Sequence, residues 1–459
     1  MNTRPLTLDV APWVLFRALA SRERSFLIDA AQPWGEEWVS CMGFHPRMQL
    51  RTAAPGALAT LDGLLADGAP PRHARARFRP LPFAGGAVVA LAYELKNEIE
   101  RLPQTQVEAP GAPHLIAAVY DAVVAYDHRR RRYHVASWHL DDAALARYAD
   151  EVRAALADAV PAGAAPRAPG GRATCSLDAA AYAARVERIL GYIAAGDVYQ
   201  VNLSLRLETA LAAAPLDLYE RLRAAQPVPF GAFVDTGSET VLSNSPELLL
   251  RRRGDAVVTC PIKGTRPRGA SLRADRALGR ALAADPKERA EHVMIVDLER
   301  NDLGRLCRSG SVRVERLAEL ARFRTVQHLV STVRGELRPG VATGDLLRAT
   351  FPGGSITGAP KIRAMEIVDE LERGPRGLYT GAIGWIDWSG DLDLNVAIRT
   401  AVAAGGRIAY HAGAGIVADS HPVREYAECL LKAEAFLAAL GAHAPATHTA
   451  PAAGESAAL

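Results

Sequence analysis

The sequence predicts an α+β protein with antiparallel sheets. Three observations lead there. Strand-like runs come in groups, without the strict βαβ alternation of a parallel sheet. Tyr379–Trp388, Leu392–Ala403 and Arg407–His411 read as successive antiparallel strands joined by Gly-rich turns. The stretch LSNSPELLLRRRGDAVVTCPIKGTRPR (Leu242–Arg268) reads as a hairpin: Glu247–Arg252 and Ala256–Ile262 flank the turn residues Gly254 and Asp255.

Taken in order, residues 1–160 form an N-terminal region. Ser25–Ala30, Ala87–Ala92 and Ala117–Tyr126 read as strands, and Asp141–Val160 as an Ala-rich helix. Pro161–Arg172 (PAGAAPRAPGGR) is the best candidate linker. A second region, residues 173–440, opens with Ser176-Leu-Asp178 capping a helix at Ala179–Ala195. A strand at Val198–Thr209, a helix at Pro215–Ala225 and a strand at Phe230–Asp235 lead to the hairpin. Asp285-Pro286 starts a helix over Lys287–Glu299, and Ser309–Arg316 is strand-like. Phe351–Ala359 leads into a helix at Pro360–Glu372, and the last helix covers Val423–Leu440. The Ala/Pro/Thr/Gly-rich tail, Gly441–Leu459, is expected to be disordered.

Composition excludes several classes. The 459 residues are 49% hydrophobic and 23% charged, ordinary for a globular protein, and the net charge of +3 is too small to argue for nucleic acid. No run of about 18 apolar residues offers a membrane span. The N-terminus lacks an apolar signal core, so a cytoplasmic location is expected. The 5 cysteines are scattered, with no CxxC pair, which suits a reducing compartment and argues against a zinc cage.

Chemistry concentrates in a few places. Glu247 and Lys263 stand at the two ends of the hairpin, so a carboxyl and an amine meet over one cavity. A lysine hemmed by Cys260, Pro261 and Ile262 loses solvation and gains nucleophilicity. Glu288 and Glu291 share one helix face, and Glu425 and Glu428 share another, with Lys432 one turn on. Two such pairs suit one hard cation, magnesium before zinc, or are simply solvated faces. FPGGSITGAPK (Phe351–Lys361) is a Gly-rich loop opening a helix, a place for an anion. It fails the Walker pattern, because Ala359-Pro360 stands where Lys-Ser/Thr is needed. GAGIVA (Gly413–Ala418) reads as a turn that bares backbone N–H groups to a carboxylate. Arg399, on a strand, offers a bidentate fork. Tyr379 and His328 are single polar residues in apolar surroundings.

Together these stretches resemble the chorismate-utilising enzymes: anthranilate synthase component I, aminodeoxychorismate synthase component I, isochorismate synthase and salicylate synthase. The resemblance covers Ser176 to Leu440 through motifs in one order: GDVYQVNLS, SPELLLR, PIKGTRPRG, DPKERAEHVMIVDLERNDLGR, VQHLVSTV, FPGGSITGAPKIRAMEIVDELE, YTGAIGW, LNVAIRT and HAGAGIVADSHPVREYAECLLKA. Residues 1–160 look like the family's weaker N-terminal region.

The resemblance implies two packed antiparallel sheets, helices outside and a deep cleft. It implies Mg2+ at Glu291 and Glu428 with Glu288 and Glu425 in support, and carboxylate binding by Tyr379, Arg399, Gly413, Gly415 and Lys432. It makes His328 a catalytic histidine, sets Thr265 and Thr357 near the ring, and makes Glu247 the acid that assists loss of the C4 hydroxyl. Gln200 stands where water-using relatives have a lysine base, which argues for ammonia as nucleophile. Lys263 stands where the anthranilate, isochorismate and salicylate synthases have alanine and the aminodeoxychorismate synthases have lysine. QPVPFGAF (Gln226–Phe233) also looks like the latter. The implied reaction turns chorismate and ammonia into 4-amino-4-deoxychorismate, toward 4-aminobenzoate and folate, through a covalent Lys263 adduct. The chain shows no Cys-His-Glu glutaminase region, so a separate glutamine amidotransferase subunit is the expected partner. The alternatives are anthranilate synthase component I and, from another class, a non-catalytic ligand- or nucleotide-binding protein.

Overall fold

Every side chain of Gly86–Leu91 and Leu115–Tyr120 is buried. Strand side chains alternate between faces, so a strand with no polar face needs a packed layer on both sides. A computed structural model, which describes residues 1–70, 81–108, 111–159 and 171–444, supplies those layers. The order is helices, sheet, sheet, helices.

The first sheet has 12 strands. Its main path runs Asn2–Leu6, Arg132–Ser137, Ala122–Asp127, Val39–Gly43, Phe26–Asp29, Phe230–Asp235, Thr240–Ser245, Thr400–Ala404, Arg407–Ile416, Gln200–Ala210, Gly358–Ala359. The second sheet has 10 strands. It runs Ile262–Pro267, Val326–Glu336, Ala256–Cys260, Leu248–Arg253, Leu392–Val396, Ala382–Asp387, Gly86–Leu91, Leu115–Tyr120, Met48–Thr52. Neighbours pair antiparallel, as the fold class requires.

Between the sheets, Phe26, Ala232, Val234 and Val241 of the first meet Val88, Ala90, Ile116, Ile383 and Trp385 of the second. Leu203, Leu205, Leu207 and Tyr410 face outward under the helices Ala179–Ala194 and Pro422–Leu440. Val89, Leu250 and Val333 do the same under Ala57–Asp67, Pro286–Gly304 and Thr343–Thr350. Each fully buried large apolar side chain stabilises by about 1.5–3 kcal/mol, so these three layers hold the stack together.

Several sequence expectations are corrected. Ala117–Tyr126 is two strands, Leu115–Tyr120 in the second sheet and Ala122–Asp127 in the first. Leu392–Ala403 likewise splits into Leu392–Val396 and Thr400–Ala404. In both cases the chain crosses from the second sheet to the first, and the only charged residues at the crossings, Asp121 and Arg399, are too brief a break to read as a loop. Arg399 therefore lies in a crossing rather than on a strand, with φ +52. Gly413–Ile416 is no turn: it continues the Arg407–Ile416 strand against Gln200–Ala210. Ser309–Arg316 is displaced to Arg313–Arg322. Both sheets draw strands from residues 1–160 and from the region beyond, so the division read from the sequence does not divide the sheets. Residues 160–170 of the linker region and 445–459 of the tail lie outside the described residues. At their inner ends, Arg172 bridges His443.

Behind the future cleft, Arg376 is buried against Glu372, with Nη2–Oε1 at 2.7 Å and Nε–Oε2 at 2.8 Å. Its guanidinium also donates to the carbonyls of Asn202 (2.7 Å) and Ile356 (3.2 Å) and lies over the Tyr93 ring at 4.6 Å. Glu372 Oε1 in turn accepts the Ser204 N–H at 2.8 Å. Arg376→Ala strands Glu372 as an unpaired buried charge. We expect a loss of about 3–5 kcal/mol, measured by urea unfolding; an unchanged midpoint would contradict this account.

Candidate active site

The apolar filling between the sheets gives way to polar groups at one end. Even-numbered positions of the Gln200–Ala210 strand face the second sheet there, and they are Gln200, Asn202 and Ser204. At the same end the chain crosses from sheet to sheet at Ser245-Pro246-Glu247. Ser245 donates to the Val396 carbonyl at 2.6 Å, and Val396 N–H donates to the Glu247 carbonyl at 3.0 Å, which fixes the crossing.

Glu247 is 4% exposed. Its Oε1 accepts the Ser355 hydroxyl at 2.7 Å and the Ile262 N–H at 3.3 Å. Burial outweighs these bonds and the nearby Lys263 charge, and the pKa rises to about 7. Glu247 thus holds a proton near neutrality, as a general acid must.

Lys263 follows on the Ile262–Pro267 strand. The register shifts between Lys263 and Thr265, where Gly264 has φ +69. A Cβ on Gly264 would meet Leu282 Cδ1 at 2.9 Å and Glu288 Oε2 at 3.0 Å, so this bulge needs glycine. Lys263 Nζ donates to Gln200 Oε1 at 3.3 Å, joining the two sheets. Desolvation lowers its pKa, and Lys432 adds to that, against the pull of Glu291, Glu247 and Glu288. Arg266, the nearest cation along the chain, is turned to Asp285 and Glu288 instead.

His328 and Thr265 face each other across paired strands, with Nδ1–Oγ1 at 3.0 Å. His328 Nδ1 also reaches the Gly264 carbonyl at 3.2 Å. A carbonyl only accepts, so that bond puts the ring proton on Nδ1 and leaves Nε2 as the lone-pair nitrogen. Burial depresses the pKa to about 4, so the imidazole is neutral.

Gly413 and Gly415 lie opposite Ser204 and Asn202. Ser204 N–H goes to Glu372 and Asn202 N–H to the Thr357 carbonyl, so neither joins the ladder at these pairs. In an antiparallel pair of this kind both residues turn their backbone groups away from each other. The Gly413 and Gly415 N–H groups therefore point outward, beyond Tyr410, where pairing with Thr400–Ala404 stops. Lys432 Nζ caps the Gly413 carbonyl at 2.9 Å. Arg399 Nη1 reaches the Lys432 carbonyl at 2.9 Å, which aims the guanidinium along the same wall. Gly413 is also sterically required, and Gly415 is tightly packed. A Cβ on Gly413 would meet Tyr379 Oη at 2.6 Å, and one on Gly415 would meet Gln200 Nε2 at 3.1 Å.

Two donors here find no hydrogen-bond partner: Gln200 Nε2 and Asn202 Nδ2, both buried. The Asn202 amide lies close enough to the Tyr379 hydroxyl to favour its charged form, but without hydrogen-bond geometry. Buried orphan donors are costly, so a cleft lined by them suits an anionic guest.

The Pro286–Gly304 and Pro422–Leu440 helices close the site from opposite sides. Burial and mutual repulsion raise the pKa values of Glu291 and Glu425; Glu291 feels Glu288 and Glu425, and Glu425 feels Glu428. Glu428 is paired to Lys432 at 2.7 Å and titrates lower. Among the described residues, no three His, Cys, Asp or Glu side chains gather closely enough to hold a metal ion. The donor chemistry nonetheless fits a hard divalent cation: carboxylate oxygens from two helices, with Glu291 and Glu425 close enough to feel each other's charge.

The Gly-rich loop is not an anion cradle. Gly354 N–H is taken by Glu299 Oε1 at 3.1 Å, and Lys361 is ion-paired to Asp302. Gly358–Ala359 pairs as a short strand with Gln200 and Val201. Thr357, fully buried, donates its hydroxyl to the Gly353 carbonyl at 2.8 Å. The loop serves Glu247 through Ser355 instead, which removes the structural basis for a nucleotide site here.

The chorismate binding enzyme family matches residues 23–438. The chain belongs to that family. It is thus an enzyme of the chorismate-utilising class. It is 41% identical to aminodeoxychorismate synthase component 1 of Bacillus subtilis (strain 168), over 78% of this chain and 77% of that protein. It is 46% identical to anthranilate synthase component 1 of Streptomyces coelicolor, over 78% and 73%. The crystal structure of anthranilate synthase component I from Streptococcus pneumoniae superposes with a TM-score of 0.78 at 31% identity, covering 88% of this chain and 93% of that one.

Sequence reading missed Asn202, Ser355 and Arg376. Asn202 had a signal: it lies two residues from Gln200 on a strand and so shares its face. Gly413→Ala drives a methyl into Tyr379 Oη and, at 2.9 Å, into the immovable Leu203 carbonyl. We expect a loss of about 1–3 kcal/mol on thermal unfolding, with weaker chorismate binding by calorimetry.

Proposed function

We propose that the protein makes 4-amino-4-deoxychorismate from chorismate and ammonia. The observation that carries this reading is Lys263. Its amine is desolvated, lies beside the buried acid Glu247 and is held by Gln200 over the cleft. The Gly413 and Gly415 N–H groups, Arg399, Tyr379 and Lys432 would orient the substrate carboxylates. Glu291 and Glu428, with Glu288 and Glu425 beside them, would hold magnesium, which supplies positive charge to a substrate carboxylate when bound. Neutral Lys263 attacks C2 of the ring. Glu247 gives its proton to the C4 hydroxyl, which leaves as water as the double bond shifts. Ammonia then adds at C4 and the C2–N bond to Lys263 breaks, returning the amine. Gln200 provides no base to activate water, which favours ammonia as the nucleophile. A separate glutamine amidotransferase subunit is the proposed source of ammonia, in keeping with relatives named as component 1.

The second reading, anthranilate synthesis, is favoured by the 46% identity to the Streptomyces protein. Incubation with chorismate, magnesium and ammonium salt separates the two. Aminodeoxychorismate should form. Direct release of fluorescent anthranilate, without an added lyase, would overturn the proposal.

Three further outcomes are expected. With chorismate and no ammonia, mass spectrometry should find an adduct on the peptide bearing Lys263, and Lys263→Ala should lose it together with most of the activity. Lys263 must be neutral and Glu247 protonated, so kcat/KM should fall on both sides of a maximum. The limb set by Glu247 should lie near pH 7. Glu291→Gln and Glu428→Gln should each raise the magnesium concentration needed for half-maximal activity, by about tenfold, without shifting the unfolding midpoint. Unchanged magnesium dependence in both would mark these glutamates as plain surface charge.

A further inference from the structure

Glu247 is flanked by a second buried carboxyl. Glu299, on the Pro286–Gly304 helix, is 3% exposed. Its Oε1 accepts the Gly354 N–H at 3.1 Å and its Oε2 the Thr259 hydroxyl at 3.4 Å. The next loop residue, Ser355, makes the shortest contact to Glu247, 2.7 Å. Thr259 precedes Cys260, which pairs with Leu248, the neighbour of Glu247. A Cβ on Gly354 would meet Leu298 Cδ2 at 2.5 Å, so the loop is pressed onto this helix where Glu299 holds it. Glu299 is therefore tied to both segments that surround the acid. A buried carboxyl hydrogen-bonded only to neutral donors is costly to keep, and stability gives no reason for it.

We propose that Glu299 is a positioning residue for the acid step, acting on Glu247 through Gly354 and Ser355; this rests on the reading of Glu247 as the acid. The same placement has an electrostatic effect. Glu299 faces Asp302, Lys361 and Glu247; Glu247 faces Lys263 and Cys260 along with neutral Ser355. Burial, then Asp302 and Glu247, make Glu299 hard to ionise, against Lys361. Once ionised, it makes loss of the Glu247 proton harder and extends the range in which the acid is armed.

The test compares Glu299→Ala, Glu299→Gln, Ser355→Ala and Glu299→Ala/Ser355→Ala, using kcat and KM for chorismate with ammonium salt across pH. Glu299→Ala should lower kcat by about tenfold, a part of the 10²–10⁴ that a general acid contributes, with KM within about twofold. Glu299→Gln keeps an acceptor for the Gly354 N–H. It should recover most of kcat while moving the limb set by Glu247 to lower pH. The double variant should be no slower than Ser355→Ala alone, since both act along one path. Wild-type kcat in Glu299→Ala, or equal losses with and without Ser355, would overturn the proposal. Should Glu299→Ala not fold, Glu299→Gln decides: an unmoved limb overturns it. Glu247→Gln separates the two readings. If that variant is inactive while the Glu299 variants match wild type, only the positioning role fails; if Glu247→Gln keeps wild-type kcat and limb, the acid role itself fails.

Discussion

The site depends on one constraint: the chain must pass between two packed sheets without leaving backbone groups unpaired. A crossing inside a stack cannot use water, so side chains and carbonyls satisfy it. Ser245 bonds the Val396 carbonyl at one crossing, and Thr380 N–H bonds the Ala397 carbonyl at another. These crossings place Glu247 and Arg399 at the polar end of the stack, on positions that no regular strand would offer. Arg399 adopts φ +52 there, a conformation rare for a side-chain-bearing residue.

The polar end works because its charges are arranged in layers. Arg376 and Glu372 form the rear layer and satisfy each other, so they fix the backbone at Asn202, Ser204 and Ile356 without leaving net charge. In front of them are neutral donors with no partner. Lys263 and Lys432 come next, and the glutamates of two helices stand at the rim. The desolvation that makes Lys263 easier to deprotonate also makes Glu247 harder to deprotonate. One burial thus favours the neutral form of both groups, the form that the proposed reaction requires of each.

Much of this could be read in the sequence. The hairpin put Glu247 and Lys263 at one place, helical spacing paired the glutamates, and the motif order gave the fold class. What was illegible depended on long-range packing. Runs 117–126 and 392–403 looked continuous because both sheets bury both faces, and the crossings are marked by little more than Asp121 and Arg399. Gly413 and Gly415 suggested a turn, yet they lie in a strand, where Tyr379 and the Leu203 carbonyl fill the space a side chain on Gly413 would need. Arg266 seemed the natural neighbour of Lys263 by number, but the bulge at Gly264 turns it toward Asp285, and Lys432 comes from the far end of the chain.

The shared sheets also bear on how the chain is made. Phe26–Asp29 pairs with Phe230–Asp235, and Gly86 waits for Asp387. Synthesis proceeds N-terminus first at about 5–20 residues per second, so the earliest strands spend tens of seconds on the ribosome with an open edge. Edges of that kind invite pairing with other chains. The architecture that builds the cleft therefore exposes its youngest nascent form to misassembly, and shielding by chaperones would matter most before the second half of the chain emerges.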